Sequence, residues 1–217
     1  MIKICTVVIG NTLDEFLKNL EEIQKISDFV ELRVDYIKDF SISDLEIIKK
    51  YTYKENIFTC RSIEEGGKFS NNNLLEIIYK ANELDFNYID IEISKLKNIK
   101  MKEKNSKIIG SYHNFKETPS YDGLKQIYDE IISFKFVDIA KIATNVINDE
   151  DNINLVKIIL SKKTDIIVVG MGEKGKITRI ISPLIGGYLT FASVGENISA
   201  VGQISLENLK NILGDRV

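Results

Sequence analysis

The feature that most restricts the fold is a repeat: short runs rich in β-branched and aromatic residues recur at intervals of about 20 to 30 residues. The eight runs are IKICTVVI (2–9), FVELRVD (29–35), IFTCR (57–61), YIDIEI (88–93), KIIGSYH (107–113), KFVDIAK (135–141), DIIVVGM (165–171) and YLTFASV (188–194). Each gap has room for one helix, and strands that alternate with helices indicate a parallel sheet covered by helices. Eight such units in 217 residues predict a (β/α)8 barrel that forms a single domain over residues 1–217, with an open doubly wound sheet as the alternative.

The gaps carry signals for helix starts. The predicted starts are Thr12 with Glu15, Ser43 with Glu46 and Asn73 with Glu76, which have capping-box spacing, and then Asp122, Asp149 and Ser205. The gap after the fourth run is weaker and contains several lysines between residues 95 and 107. Because Glu103 and asparagines are interspersed there, we expect a solvated helix face rather than an anion-binding patch.

Composition narrows the class of partner. The net charge of −3 argues against a basic surface for nucleic acid or for an anionic membrane, so a small-molecule partner is expected. The opening MIKICTVVIG is too short for the apolar region of a secretory signal, and no run approaches the roughly 20 residues that span a bilayer. We therefore expect a cytoplasmic protein in which Cys5 and Cys60 are reduced core thiols.

With one histidine in the chain, a histidine-based metal site is not expected.

Strand parity groups the polar residues of the runs. Side chains along a strand alternate between faces, so residues two apart share a face. The groups that share a face are Glu31, Arg33 and Asp35; Thr59 and Arg61; Asp90 and Glu92; Ser111 and His113; and Lys141 with Val137 and Ile139. If these faces point into a barrel, their charges gather toward the C-terminal ends of the strands, where barrels hold their active sites. A purely structural interior would be branched and apolar.

Lys141 is the single cation in the apolar stretch FVDIAKIAT (136–144). Removing an ammonium group from water is costly unless the group is paired or loses its proton. One interpretation is that Lys141 leans its aliphatic stem on the sheet and keeps its charge in water. The other is that it is buried and attacks a ketone or aldehyde to form a Schiff base.

Three further features extend the second interpretation, and each has a structural alternative. His113 lies one strand before Lys141 and either caps a strand end or exchanges protons near neutral pH. Arg179 follows the glycine turn after the seventh run and either covers a helix or pairs with a substrate carboxylate. The loop GENISAVGQ (195–203) is either a passive surface loop or a closing lid.

Gly170, Gly172 and Gly175 match G-x-G-x-x-G, with Glu196 about 20 residues further on, as in dinucleotide-binding proteins. The match falls in the seventh unit of eight, which leaves no room for the rest of a dinucleotide-binding half. We do not expect NAD binding.

Six motifs together resemble the type I 3-dehydroquinate dehydratase family. They are ELRVDY (31–36), FTCRSIEEGG (58–67), SYHNF (111–115), the strand of Lys141, MGEKGKITR (171–179) and SAVGQ (199–203). They occur in the family's order with compatible spacing, from about Cys5 to Gln203. The last motif departs from the family in having Val201 where proline is more frequent.

The resemblance implies a barrel lyase without metal or cofactor that is usually a dimer and converts 3-dehydroquinate to 3-dehydroshikimate and water. The implied catalytic residues are Lys141 as the Schiff-base lysine, His113 as the general acid and base, and Glu65 as the carboxylate that orients His113. The implied substrate-binding residues are Arg179 for the carboxylate, Glu31, Arg33 and Arg61 for the hydroxyl groups, Ser199 and Gln203 in the lid, and Met171 and Phe191 as apolar walls.

Two other functions remain as alternatives. A class I aldolase acting on a sugar phosphate would share the barrel and the lysine, and would bind phosphate after strands seven and eight, for which Gly186 and Gly187 are candidates. A barrel without catalysis would serve as a binding module. The presence of Lys141, His113 and Glu65 together argues against that second alternative.

Overall fold

The computed structural model describes residues 1–70, 72–101, 103–195, 197 and 202–217. The strands are Ile4–Val8 (β1), Phe29–Arg33 (β2), Glu55–Thr59 (β3), Tyr88–Glu92 (β4), Lys107–Asn114 (β5), Ile139–Asn145 (β6), Asp165–Met171 (β7), Thr190–Ser193 (β8) and Ile204–Ser205 (β9). The helices are Leu13–Gln24 (α1), Asp44–Tyr51 (α2), Leu74–Glu83 (α3), Ile93–Leu96 (α4), Tyr121–Ser133 (α5), Asp149–Leu160 (α6), Lys176–Leu184 (α7) and Leu206–Leu213 (α8). All eight predicted strands form, and the short strand β9 is additional.

The strands are arranged as a barrel. Their order is β7-β6-β5-β4-β3-β2-β1-β8-β9, and every paired neighbour is parallel. Strand β1 pairs with both β2 and β8, so the first and last units of the repeat are adjacent, as a barrel requires. Between β7 and β8 the Tyr188 amide donates to the Ile166 carbonyl at 2.8 Å. The predicted (β/α)8 fold is confirmed, and the doubly wound alternative is wrong.

Strand parity separates the inside of the barrel from its outside. In β6, Ile139 and Ala143 belong to the interior apolar cluster, whereas Ala140 and Ile142 pack against the helices. Lys141 therefore points inward with Ile139, as predicted. Val137, which we placed on the same face, precedes β6 and packs with the outer clusters instead.

The helix starts were predicted with mixed success. Thr12 and Ser205 cap α1 and α8 through their side chains. The side chains of Ser43 and Asn73 make no capping hydrogen bond, and the Glu46 carboxylate pairs instead with a lysine of α3.

The other two predicted starts are displaced. Helix α5 is capped by Ser120, two residues before the predicted Asp122. Helix α6 is capped by Asn148, which forms a capping box with Asp151, so the predicted Asp149 is the first helical residue. In both cases a neighbouring side chain reaches the free amides at the helix start better than the predicted acid does.

In the described part of the lysine-rich segment after β4, the helix covers Ile93–Leu96, so most of the lysines that we expected on a solvated helix face lie beyond the helix. Lys104, beyond that helix, is paired with Asp138 at 2.7 Å. No helix within the described ranges is long and apolar enough to cross a membrane.

The N-terminal ends of the strands are covered by a polar and aromatic cluster, which we call the barrel floor. The hydroxyl groups of Tyr88 in β4 and Tyr188 before β8 lie 2.5 Å apart. Glu55 accepts hydrogen bonds from Tyr88 at 2.9 Å and from Lys3 at 3.0 Å. Because β4 and β8 lie on opposite sides of an eight-stranded ring, these contacts connect its two halves.

Candidate active site

Five of the residues that parity placed on inward faces line one cleft at the opposite end from the floor, namely Glu31, Arg33, Arg61, His113 and Lys141. The cleft is lined by Glu31, Arg33, Arg61, Glu65, Gly66, His113, Phe115, Lys141, Ala143, Val169, Met171, Arg179, Phe191 and Gln203. Ten of the eleven residues proposed from the sequence are in this lining. The eleventh, Ser199, lies outside the described residues, as does Val201. A cleft with apolar walls and a few converging polar side chains suits a small-molecule ligand.

Lys141 is buried, with 5% of its surface exposed, so the interpretation in which its charge stays in water is wrong. Its Nζ lies 2.8 Å from Asp90 Oδ2 and 3.6 Å from Glu31 Oε1. It also lies 4.8 Å from the centre of the Phe191 ring. The sequence left pairing and proton loss as the two ways to bury this amine, and the geometry supplies a partner.

That partner, Asp90 in β4, connects several side chains of the site. Its Oδ2 also contacts Arg61 Nη2 at 2.7 Å, and its Oδ1 accepts a hydrogen bond from Ser111 Oγ at 2.6 Å. Burial by itself would raise the pKa of Asp90, but the charges of Arg61 and Lys141 outweigh burial and hold that pKa well below its ordinary range. Asp90 is therefore an ionised carboxylate between two cations.

The sequence analysis did not propose Asp90 as a site residue, although it placed Asp90 and Glu92 on the same face of their strand. The strand register explains its position, because Asp90 is level with Thr59 of β3, and Ser111 of β5 is level with Lys141 of β6. Parity shows which face of a strand a residue is on. Which residues of neighbouring strands lie level with it is known only from the strand register. One signal was available in the sequence, namely an acid at the centre of β4 with an isoleucine on each side.

His113 is held by Glu65. Its Nδ1 lies 2.9 Å from Glu65 Oε2, and its ring stacks on Phe115 with 13° between the planes. Burial, with the nearby charges of Arg61 and Lys141, holds the pKa of His113 well below its ordinary range, so the imidazole is neutral at pH 7. A carboxylate at Nδ1 selects the tautomer with hydrogen on that nitrogen and leaves Nε2 to accept a proton.

Glu65 has an unusual environment for a carboxylate. Burial raises its pKa to about 7, because burial together with repulsion by Glu92 and Asp90 outweighs the attraction of Arg61. Glu65 thus changes charge in the range where a general acid and base operates. The interaction with His113 consequently depends on pH.

Arg179 projects from α7 into the cleft with 2% of its surface exposed, so the interpretation in which it covers a helix is wrong. Its Nε and Nη2 atoms are buried and have no hydrogen-bond partner in the part of the chain that the structure describes. Burial lowers the pKa of Arg179 to about 10. A buried guanidinium group in this condition is complementary to an anion, and a carboxylate fits its planar donors.

The remaining polar residues of the cleft are paired with the protein. Glu31 accepts a hydrogen bond from Thr59 at 3.0 Å. Arg33 forms two 2.8 Å hydrogen bonds with Asp35, and Arg61 donates to Ser111 at 2.9 Å. Each side chain is thus held in one orientation before a ligand arrives.

The glycines around the end of β7 serve backbone packing and a turn. A Cβ atom on Gly175 would lie 2.4 Å from the Gly170 carbonyl carbon, so these two glycines permit close packing of the β7 and α7 backbones. Gly172 has φ of 79°, a conformation that favours glycine. Gly186 and Gly187, the phosphate candidates, lie between α7 and β8, on the floor side of the barrel. They are at the wrong end to bind a phosphate in the cleft.

The fold and this cleft place the chain among the (β/α)8-barrel enzymes that act on small molecules. A family model described as type I 3-dehydroquinase matches residues 4–216. A 3-dehydroquinate dehydratase of Coxiella burnetii is 44% identical over 213 residues, covering 96% of this chain and 91% of the relative, and one of Methanocaldococcus jannaschii is 39% identical over 217 residues, covering 96% of each. The crystal structure of 3-dehydroquinate dehydratase from Geobacillus kaustophilus superposes with a TM-score of 0.88 at 25% identity, covering 98% of this chain and 90% of that one. The chain belongs to the type I 3-dehydroquinase family.

Proposed function

We propose that this chain is a 3-dehydroquinate dehydratase, a hydro-lyase that forms a Schiff base between Lys141 and its substrate. The observation that carries the proposal is that a buried lysine amine and a histidine oriented by a carboxylate line one cleft. Membership of the type I 3-dehydroquinase family supplies the substrate.

The first stage is formation of the imine. The amine of Lys141 loses a proton, attacks the C3 carbonyl of the substrate and forms a carbinolamine, which then loses water to give a cationic iminium group. The neutral imidazole of His113 is the base available to take and return protons. Because the iminium nitrogen is positively charged, Asp90 at 2.8 Å from Lys141 Nζ favours its formation.

The second stage is elimination. The iminium group withdraws electrons and makes the adjacent C2 proton acidic, so His113 can remove it to give an enamine. The enamine then expels the C1 hydroxyl group, which leaves as water with a proton from His113. Hydrolysis of the product imine consumes one water molecule and releases 3-dehydroshikimate and Lys141, so the net reaction is loss of one water.

The other residues of the cleft bind the substrate. Arg179 pairs with the substrate carboxylate, since its buried Nε and Nη2 atoms have no hydrogen-bond partner among the described residues. Glu31, Arg33 and Arg61 hold the hydroxyl groups, and Met171 and Phe191 form the apolar walls. Gln203, which lines the cleft, contacts the bound substrate. The closing role of Ser199, which lies outside the described residues, stays a prediction from the sequence.

The same proposal includes a cytoplasmic enzyme of the shikimate pathway that assembles as a homodimer. Four apolar side chains on the outer faces of α6 and α7 support self-association. They are Ile153, Leu160, Ile177 and Leu184, exposed by 52%, 67%, 45% and 41%. The two residues on each helix are seven positions apart and so share a face. In a symmetric dimer, the apolar face of one copy would be buried against the same face of the other. Light scattering should give twice the chain mass for the wild type and the single mass for Leu160→Lys; a monomeric wild type would refute the homodimer.

The activity is tested by the ultraviolet absorbance of the conjugated enone product. Wild-type protein should convert 3-dehydroquinate, and Lys141→Ala should not, whereas Lys18→Ala, on the exposed face of α1, should retain full activity. If the wild type forms no enone, the proposed function is wrong. If it instead cleaves a sugar phosphate, the aldolase alternative is correct.

A further inference from the structure

The molecule contains a second buried carboxylate whose interactions point to a role, namely Asp35. It lies in the 3-10 turn Val34–Tyr36 that follows β2, and its side chain has no exposed surface. Asp35 is not part of the cleft lining. Its contacts nevertheless reach two different parts of the site.

The first contact orients Arg33. The carboxylate accepts from Arg33 Nε through Oδ1 and from Arg33 Nη2 through Oδ2, both at 2.8 Å. The ring of Tyr36 lies 4.9 Å from the guanidinium carbon, and the Lys68 ammonium lies 4.1 Å from the same ring. A bidentate pair with a stacked ring fixes the plane of the guanidinium group and leaves Nη1 for a ligand.

The second contact reaches the loop that carries Glu65, which we define as residues 60–70. Asp35 Oδ2 also accepts from the backbone amide of Lys68 at 3.2 Å. At the start of the same loop, Glu92 accepts from the amide and the hydroxyl group of Ser62 at 2.8 and 2.9 Å. Glu65 lies between these two anchors, so buried carboxylates hold the loop on both sides of the residue that contacts His113.

We propose that Asp35 is a positioning residue of this active site, which fixes both the substrate-facing arginine and the loop that presents Glu65. This inference rests on the proposed function, because Arg33 and Glu65 are assigned there to substrate binding and to orientation of His113. Asp35 does not touch the substrate or the reacting atoms. It acts through Arg33 on KM and through Glu65 on kcat.

The main test is Asp35→Asn in the full-length protein. An amide has one acceptor oxygen, and its NH2 group would oppose a donor of Arg33 or of Lys68, so at least one contact is lost. We expect KM for 3-dehydroquinate to rise about tenfold and kcat to fall severalfold. Asp28→Asn, which changes an exposed carboxylate paired with Lys54, should leave both constants unchanged.

A double-mutant cycle distinguishes positioning from a general loss of structure. The effect of Asp35→Asn on KM should disappear when Arg33→Gln is already present, and its effect on kcat should disappear in Glu65→Gln. A merely structural role would lower the amount of active enzyme by the same factor in every background. Equal effects in all backgrounds, or an unchanged KM in the single variant, would overturn the proposal.

A second pair of variants keeps the loop contact testable if Asp35→Asn does not fold. Lys68→Pro removes the amide hydrogen that Asp35 accepts, and Lys68→Ala keeps it; the Lys68 side chain is exposed. Lys68→Pro should have a severalfold lower kcat than Lys68→Ala, which keeps the amide hydrogen and loses only the contact of its ammonium with the Tyr36 ring. Identical kinetics for the two variants would contradict the role of Asp35 in the loop. An inactive wild-type protein would instead refute the proposed function.

Discussion

Lys141 Nζ and Asp90 Oδ2 lie 2.8 Å apart inside the barrel, on strands that are not neighbours. This contact accounts for a lysine within an apolar strand, since the buried ammonium is compensated by a carboxylate. It also places a negative charge beside the nitrogen that becomes an iminium group in the proposed reaction.

Replacing Asp90 by asparagine tests this contact. Lys141 and Arg61 would lose their shared carboxylate, so the free energy of unfolding should fall by about 3 kcal/mol and kcat by at least tenfold. Urea denaturation and steady-state kinetics measure the two effects. Asp129→Asn, at a partly exposed carboxylate paired with Lys125 and Lys163, is the matched control and should change each quantity much less. If kcat of Asp90→Asn equals that of the wild type, Asp90 has no role in the mechanism.

Substitution of His113 should separate the two stages of the reaction. We expect His113→Ala to lower kcat by about 10²- to 10⁴-fold, because general acid and base catalysis is lost at every proton transfer. Rapid-quench measurements should show imine accumulating before any product appears. A near-normal rate would contradict the role given to this residue.

The raised pKa of Glu65 predicts a pH dependence. His113 requires the ionised form of Glu65, so kcat/KM should fall as pH decreases through about 7. In Glu65→Gln the rate should be lower, and this part of the pH profile should be absent. A profile that is the same in both proteins would show that another group titrates.

The raised pKa of Glu65 also makes the free energy of unfolding depend on pH, and in the opposite direction to kcat/KM. Between its ordinary value of 4.5 and about 7, Glu65 binds more protons in the folded than in the unfolded protein. Its contribution to the free energy of unfolding therefore decreases as pH rises through that range. Glu65→Gln should remove this decrease, as thermal unfolding at several pH values would reveal.

Arg179 should stabilise the complex and not the free protein. Its buried Nε and Nη2 atoms lack partners among the described residues, so Arg179→Gln should leave the melting temperature unchanged or higher while KM rises about a hundredfold. Product 3-dehydroshikimate should raise the melting temperature of the wild type and not of the variant. If both proteins are stabilised equally, the carboxylate is bound elsewhere.

The barrel floor should matter for stability alone. Tyr88→Phe removes the hydrogen bonds to Tyr188 and Glu55, so the free energy of unfolding should fall by about 1 kcal/mol or somewhat more. KM and kcat should remain unchanged because the floor is at the opposite end from the cleft. A changed KM would show that the two ends are coupled.

The sequence predicted the strands and their inward faces because burial on both sides of a parallel sheet requires apolar runs with a consistent parity. It did not predict the Lys141–Asp90 pair or the shared contacts of Asp35, because these depend on strand register and on how loops fold back. It also did not predict the failure of Ser43 and Asn73 as caps, since tertiary contacts determine which side chain reaches a helix start. Long-range pairing is thus where local pattern gives least information.

The most direct test of the account is borohydride reduction in the presence of 3-dehydroquinate, followed by mass mapping of peptides. A stable adduct is expected on the peptide that contains Lys141, in the wild type and in His113→Ala, and no adduct is expected in Lys141→Ala. An adduct on another lysine, or an active enzyme that forms none, would contradict the proposed Schiff-base mechanism.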